Sequence, residues 1–95
     1  MPAYLIVNLD VHDPEAYEEY KTGAATLVER HGGEYIVRGG DFDVLEGNWT
    51  PSRLVVLKFP TRTALDAFYT DPEYAPLMAI RHSSATTDAI AVEGV

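Results

Sequence analysis

Four short segments of the chain are dominated by aliphatic, β-branched and aromatic residues, a pattern that predicts β-strands. The segments are residues 3–10, 34–38, 53–59 and 87–93. Glycine or proline follows each segment within a few positions, and these two residues interrupt a regular strand ladder. We therefore expect four strands.

A longer segment with helical spacing follows the first strand. Asp13 suits a helix N-cap, and Pro14 suits the first helical position. One helix face carries the stripe Tyr17, Tyr20, Ala24, Leu27, Val28 and His31. Gly32-Gly33 favours a left-handed C-terminal cap, which ends the predicted helix.

A second helical region follows the third strand. Thr61 suits an N-cap, and the apolar stripe after it comprises Ala64, Leu65, Phe68 and Tyr69. Residues 71–73 (Asp-Pro-Glu) restart a helix. The order β-α-β-β-α-β predicts an α+β, ferredoxin-like fold, in which helices cover one face of a four-stranded antiparallel sheet. A chain of 95 residues makes a single domain, residues 1–95.

The segment between the second and third strands has two interpretations. Gly39 and Gly40 bend or bulge the second strand, and residues 42–46 continue it. Alternatively, a tight hairpin crosses Gly39, Gly40 and Asp41. Residues 47–52 form a loop by composition in either case.

The predicted strands are apolar on both faces of the sheet. In the first strand, Leu5, Val7 and Leu9 lie on one face, while Tyr4 and Ile6 lie on the other. By the same alternation, Leu54 and Val56 of the third strand lie on the face opposite Val55, Leu57 and Phe59. In the second strand, Tyr35 and Val37 lie on the face opposite Ile36. A sheet with helices on one face normally presents polar residues to water on the other. A large exposed apolar face is rare on a monomer, so we expect two copies to pack sheet to sheet as a homodimer.

Charge and composition exclude several classes of partner. Seven Lys and Arg against fifteen Asp and Glu give a formal net charge of −8, which repels nucleic acid and anionic lipid. There is no cysteine, and the three histidines lack the spacing of a metal site. No run is long and apolar enough for a membrane span, and no signal segment opens the chain. We expect a cytoplasmic protein that uses no nucleic acid, membrane, metal or cofactor.

Charged residues within or beside apolar strands are the first candidates for a site. Arg38 either pairs with Glu46 on the continuing strand or anchors a carboxylate ligand with its guanidinium group. Glu46 is also a candidate general base. Arg53, at the start of the third strand, pairs with an acidic neighbour or the partner subunit, or binds ligand. Arg81 extends along the apolar face of its helix or reaches into a cavity.

Histidines and aromatic residues complete the candidates. His12 ends the first strand and His82 ends a helix, so both are candidate catalytic acid–base groups at a cavity mouth. Trp49 lies in the predicted loop, as a dimer contact or a ligand lid. Tyr17 and Tyr74 are expected to pack in the core and to line a cavity.

Over nearly the whole chain, the sequence resembles the domain-of-unknown-function 1330 (DUF1330) family of the dimeric α/β-barrel superfamily. The matching residues are Tyr17, Tyr20, Gly32-Gly33, Arg38-Gly39-Gly40, Leu45-Glu46-Gly47, Pro51, Arg53, Phe59-Pro60, Ala64, Phe68, Tyr69, Tyr74, Arg81 and Glu93-Gly94. The resemblance implies two βαββαβ subunits whose sheets face each other. Distant barrel relatives include cofactor-free mono-oxygenases, isomerases, haem-dependent enzymes and amino-acid-sensing domains, which use a cavity between helices and sheet.

Three functions are consistent with these features, and the sequence does not decide whether the protein is an enzyme. In the first, a cofactor-free enzyme acts on a small, carboxylate-bearing organic molecule between helices and sheet. In the second, the same cavity binds or senses a small molecule without turnover. In the third, the protein is a structural homodimer and its polar strand residues only fix the register.

Overall fold

The computed structural model describes residues 1–95. Its elements in chain order are β1 (Ala3–Val11), α1 (Pro14–Arg30), β2 (Glu34–Arg38), β3 (Leu54–Phe59), α2 (Arg62–Tyr69), α3 (Tyr74–Ser84) and β4 (Ala85–Glu93). The strands form one sheet in the order β2-β3-β1-β4, with all neighbours antiparallel. The predicted ferredoxin-like fold is confirmed. None of the helices combines the length and hydropathy needed to cross a lipid bilayer.

The ends of α1 form as the sequence predicts. The Asp13 side chain accepts a hydrogen bond from Ala16 N at 3.3 Å, which satisfies one of the free amides at the helix start. After Arg30, Gly32 adopts a φ of 76°, and Gly33 N donates to Val28 O at 2.8 Å. This cap turns the chain directly into β2.

The last strand begins two residues earlier than predicted. Helix α3 ends at Ser84, and Ala85 is already paired with Val11 across the sheet. The Ser84 carbonyl accepts hydrogen bonds from His12 N at 2.9 Å and Asp13 N at 3.1 Å. These bonds hold the end of α3 against the start of α1 and leave no loop before β4.

The predictions for residues 39–46 are corrected by the structure, whereas the loop predicted over residues 47–52 forms. Neither a continued strand over residues 42–46 nor a tight hairpin forms, and β2 and β3 are joined by a long loop. Gly39 donates a hydrogen bond from its N–H to Leu54 O at 2.7 Å. Its φ of 71°, a conformation that glycine readily adopts, then turns the chain away from β3. Pairing therefore ends at this point.

A β-bulge in β2 changes which side chains face the helices. Tyr35 pairs with Leu57, but the next pair is Val37 with Val56, so Ile36 is an extra residue. The predicted placement of Tyr35 and Val37 on one face is therefore wrong, because the bulge interrupts the alternation. It also brings Arg38 opposite Val55, on the helix side of the sheet.

The two faces of the sheet differ in burial. On the helix side, eight strand residues are buried in the core beneath the helices: Ala3, Leu5, Val7, Leu9, Val55, Leu57, Phe59 and Ala85. The opposite side, here called the outer face, comprises Tyr4, Ile6, Val37, Leu54, Val56, Ile90 and Val92 together with polar Asn8, Asp10, Glu34, Lys58, Thr86 and Asp88. On this face Ile90 is 61% exposed. The expectation of apolar residues on both faces is confirmed.

Candidate functional site

A narrow cavity lies between the helices and the helix side of the sheet. Of its 18 lining residues, 14 are hydrophobic, and the other four are Lys21, Arg38, Arg53 and Arg81. No aspartate, glutamate or histidine lines it. The cavity volume is about 30 Å³. The cavity is therefore largely apolar, and all of its charged groups are cationic.

Arg38 enters this cavity because of the bulge in β2. Its guanidinium carbon lies 4.3 Å from the centroid of the Tyr35 ring, a distance at which a cation is attracted by the ring face. Arg38 is exposed to solvent and makes no ion pair. The predicted pair with Glu46 is wrong, because residues 42–46 leave the sheet instead of continuing β2 beside it.

Arg53 is positioned by the first backbone bond between β3 and β1. Leu9 N donates to Arg53 O at 2.9 Å, and the guanidinium group packs directly over Gly39. A Cβ added at Gly39 would clash with Arg53 Nη1, so the arginine would have to move if another residue stood there. The Nε atom of Arg53 is buried and has no hydrogen-bond partner.

Arg81 is the most deeply placed of the three arginines. It lies in the last turn of α3, is only 4% exposed, and has its guanidinium carbon 5.9 Å from the Tyr20 ring centroid. Both Nε and Nη2 are buried without a hydrogen-bond partner. Of the two orientations predicted for this side chain, the structure has the one that reaches into the cavity.

Tyrosines form the wall beside Arg81. The Tyr20 and Tyr74 hydroxyl oxygens are 2.7 Å apart, and the Tyr17 ring packs 5.6 Å from the Tyr20 ring, centroid to centroid. Burial raises the pKa of Tyr20, of Tyr74 and of Tyr35 above the ordinary tyrosine value. These side chains are therefore neutral hydroxyl groups at physiological pH.

Lys21 differs from the arginines because a carboxylate already neutralises it. Its Nζ atom lies 2.9 Å from Glu18 Oε1 on the exposed side of α1. The hydrogen bond from Lys21 lowers the pKa of Glu18, and the nearby charges of Arg53 and Arg38 make smaller contributions in the same direction. The charge that remains without a counter-ion in the cavity belongs to the arginines.

The distribution of ion pairs sets the cavity apart from the rest of the chain. The seven Lys and Arg side chains divide into Lys21, Arg30 and Arg62, which are ion-paired, and Arg38, Arg53, Lys58 and Arg81, which are not. Three of these four unpaired side chains, Arg38, Arg53 and Arg81, line the same cavity. The chain has an excess of carboxylates, so a shortage of acidic residues does not explain this.

Several predicted site residues lie elsewhere. Glu46 and Trp49 are in the exposed loop, where Trp49 is 62% exposed. His12 is exposed at the end of β1, and His82 borders a separate groove between α2 and α3. Of the candidates, only Arg38, Arg53, Arg81, Tyr17 and Tyr74 line the cavity.

Three cavity residues were missed by the sequence reasoning. Lys21 lies one turn after Tyr17 on the same helix, and Tyr69 belongs to the predicted stripe of α2, so both had a signal in their spacing. Tyr35 had no such signal, because its neighbourhood with Arg38 depends on the bulge. No group of three or more His, Asp or Glu side chains is placed to hold a metal ion.

Comparison with known proteins identifies the family. The sequence model described as Domain of unknown function (DUF1330) matches residues 2–95. The chain belongs to this family. The resemblance noted from the sequence is thus confirmed. A comparison with curated proteins found no match.

Solved structures share the fold of this DUF1330 protein at low sequence identity. A protein of unknown function from Rhodopseudomonas palustris is 18% identical with a TM-score of 0.81, over 99% of this chain and 82% of that one. SnoaB, a cofactor-independent oxygenase from Streptomyces nogalater, is 13% identical with a TM-score of 0.67, over 99% and 93%. A dimeric ferredoxin-like protein of unknown function from Thermobifida fusca is 19% identical with a TM-score of 0.67, over 99% and 92%. These likenesses establish the fold.

Proposed function

We propose that this DUF1330 protein binds a small organic anion with an apolar body in the cavity between helices and sheet. One observation carries the proposal. Three arginines without a carboxylate partner line a single cavity whose other lining residues, apart from the ion-paired Lys21, are apolar or aromatic, in a chain of net charge −8.

The energetics of burial favour an anionic ligand. A guanidinium group taken out of water without a partner is costly, and proteins normally compensate it with a carboxylate. Here the ligand supplies that compensation. Cationic groups in a cleft with apolar walls also concentrate anions locally, even where the net charge of the protein is negative.

The aromatic walls define the rest of the ligand. Tyr17, Tyr35 and Phe68 offer ring surface, which accepts an apolar or planar body. The small free volume limits this body, and a larger ligand requires side-chain rotation, as is common at binding sites. Catalysis is not part of this proposal, because Glu46, His12 and His82, the expected proton carriers, lie outside the cavity.

The test uses benzoate as the probe and benzamide as its neutral counterpart. Benzoate is expected to raise the melting temperature in a concentration-dependent way, whereas benzamide is not. Arg53→Met should weaken the effect of benzoate, and the matched control Arg62→Met, on the exposed side of α2, should leave it unchanged. Equal responses to the acid and the amide, or no response to either, would overturn the proposal.

We further propose that the protein is a homodimer that packs through its outer face. Ile6, Val56 and Ile90 lie side by side on three adjacent strands, and no helix covers them. A second copy related by a two-fold axis would bury this patch. The structural neighbour from Thermobifida fusca is described as dimeric, which supports the proposal.

Solution mass tests this second proposal. Light scattering of the wild type should give twice the chain mass of 10.5 kDa. Ile90→Glu introduces a charge into the outer face and should give a monomer. Ala67→Glu, which adds the same charge to the exposed side of α2, should stay dimeric. A wild-type monomer at micromolar concentration would contradict the proposal.

A further inference from the structure

We propose that Arg81 is the anchor of the site and that it holds the carboxylate group of a small apolar acid through two parallel hydrogen bonds. This inference rests on the proposed function, which it deepens by assigning the ligand's charged group and the residue that recognises it. It is carried by the two unsatisfied nitrogens of Arg81 and by their burial.

The two atoms without partners form one edge of the guanidinium group. The N–H bonds of Nε and Nη2 point in the same direction, and their spacing matches the two oxygens of a carboxylate. Both atoms are buried and unpartnered in Arg81. In Arg53 only Nε is in this state. Arg81 is therefore the one arginine of the cavity that offers both donors of a bidentate contact where solvent is excluded.

The three arginines lie at different depths, which gives them different parts in binding. Arg38 is exposed, Arg53 is half-buried and Arg81 is 4% exposed. Charge interactions strengthen as solvent is excluded. Arg81 therefore contributes most to affinity, while Arg38 and Arg53 attract the anion toward the cavity.

Neighbouring hydroxyl groups complete the carboxylate site. Tyr20 and Tyr74 share one hydrogen bond of 2.7 Å between their oxygens, so one of their two hydroxyl hydrogens is not used within the pair. That hydrogen is available to a further lone pair of the bound carboxylate. A neutral amide gains nothing comparable, because its NH₂ group would face the N–H edge of Arg81.

The experiment measures calorimetric binding of formate, acetate and benzoate to the wild type and to two variants. Arg81→Met removes the charge and roughly keeps the volume, whereas Arg81→Lys keeps the charge but removes the paired donors. Both variants are expected to bind benzoate at least about tenfold more weakly, as befits a lost charge-assisted pair of bonds. Arg62→Met serves as the control with wild-type affinity.

The outcomes separate this inference from the proposed function. If the wild type binds benzoate and Arg53→Met loses affinity while Arg81→Met does not, the cavity binds anions but Arg81 is not the anchor. If Arg81→Lys binds as tightly as the wild type, a point charge suffices and the bidentate contact is overturned. If the wild type binds none of the three carboxylates, the proposed function itself fails.

Discussion

Two groups of charged residues on the helix side of this protein differ in whether their charges are paired. The first, here called the paired cluster, consists of Arg30, His31, Asp71 and Glu73 and joins the end of α1 to the segment before α3. The second, the cavity arginines, consists of Arg38, Arg53 and Arg81. Every member of the paired cluster has a partner of opposite charge or a hydrogen bond within it. No cavity arginine has a carboxylate partner.

The difference indicates which charges serve the fold. In the paired cluster, Asp71 Oδ2 lies 2.8 Å from His31 Nε2, and Asp71 Oδ1 accepts a hydrogen bond from Glu73 N at 2.9 Å. These contacts tie two helical regions together. The cavity arginines make no ion pair between elements, and Arg53 and Arg81 leave buried donors unsatisfied. Unsatisfied buried groups cost stability, so a ligand is the reason we infer for their presence.

The largest expected effect lies in the paired cluster. Asp71→Ala removes both hydrogen bonds of a largely buried carboxylate, and we expect it to lower the free energy of unfolding by about 2 kcal/mol. Urea denaturation measures this loss. The matched control Asp66→Ala removes an exposed carboxylate that pairs with Arg62 on α2. Equal losses of unfolding free energy in the two variants would contradict a structural role for the paired cluster.

The opposite sign is expected for the deepest cavity arginine. Arg81→Met replaces a buried cation that has no carboxylate partner with an apolar side chain of similar length, and should raise the free energy of unfolding of the unliganded protein by about 1.5 kcal/mol. The same denaturation experiment detects it. A clear loss of stability in this variant would show that Arg81 serves the fold.

The tyrosine pair should give a smaller, pH-dependent effect. Tyr20→Phe removes its bond to Tyr74 and should cost about 1 kcal/mol at neutral pH. The raised pKa values of the buried tyrosines keep them protonated in the folded protein, while the unfolded chain ionises near pH ~10. Wild-type stability is therefore lost as the pH rises above that value.

Denaturation curves from pH 7 to pH 11 check the tyrosine prediction. Because Tyr20→Phe removes one group that ionises only on unfolding, its loss of stability at high pH should be shallower than that of the wild type. Parallel losses in the two proteins would contradict the assignment of this pH dependence to Tyr20.

The smallest effect is expected for an exposed ion pair outside both groups. Arg62 Nε lies 3.0 Å from Asp66 Oδ1, one turn away on α2. Such pairs are screened by water, and Arg62→Met should change the free energy of unfolding by less than about 0.5 kcal/mol. A larger change in the free energy of unfolding would mean that this exposed ion pair stabilises the protein. Arg62→Met could then not serve as the neutral control for the cavity arginines.

The sequence predicted the helices and strands well because the residues that mark their ends act locally. Asp13, Thr61 and Gly32-Gly33 act on the backbone within a few residues, so their capping roles could be read directly. The apolar residues of both strand faces were likewise visible from alternation. The long loop between β2 and β3 could not be predicted in this way. Gly39 can bend, bulge or turn a chain, and which of these forms depends on its hydrogen bond to Leu54 in β3.

The site was predicted only in part because it depends on tertiary structure. Arg38 faces the helices because Ile36 is an extra residue in β2, and no glycine marks that bulge. The lack of a carboxylate ion pair at Arg53 and Arg81 is likewise a property of the folded molecule. Glu46 was placed beside Arg38 by a strand continuation that does not form.

Arginine side-chain NMR tests the central claim most directly, because one spectrum reports paired and unpaired guanidinium groups together. Nε–H signals would be assigned with the Met variants and followed during titration with benzoate. The account predicts a large, saturable shift for Arg81, a smaller one for Arg53, and none for Arg30 and Arg62. Shifts of equal size at Arg30 and Arg62, or an unmoved Arg81 signal at saturation, would contradict it.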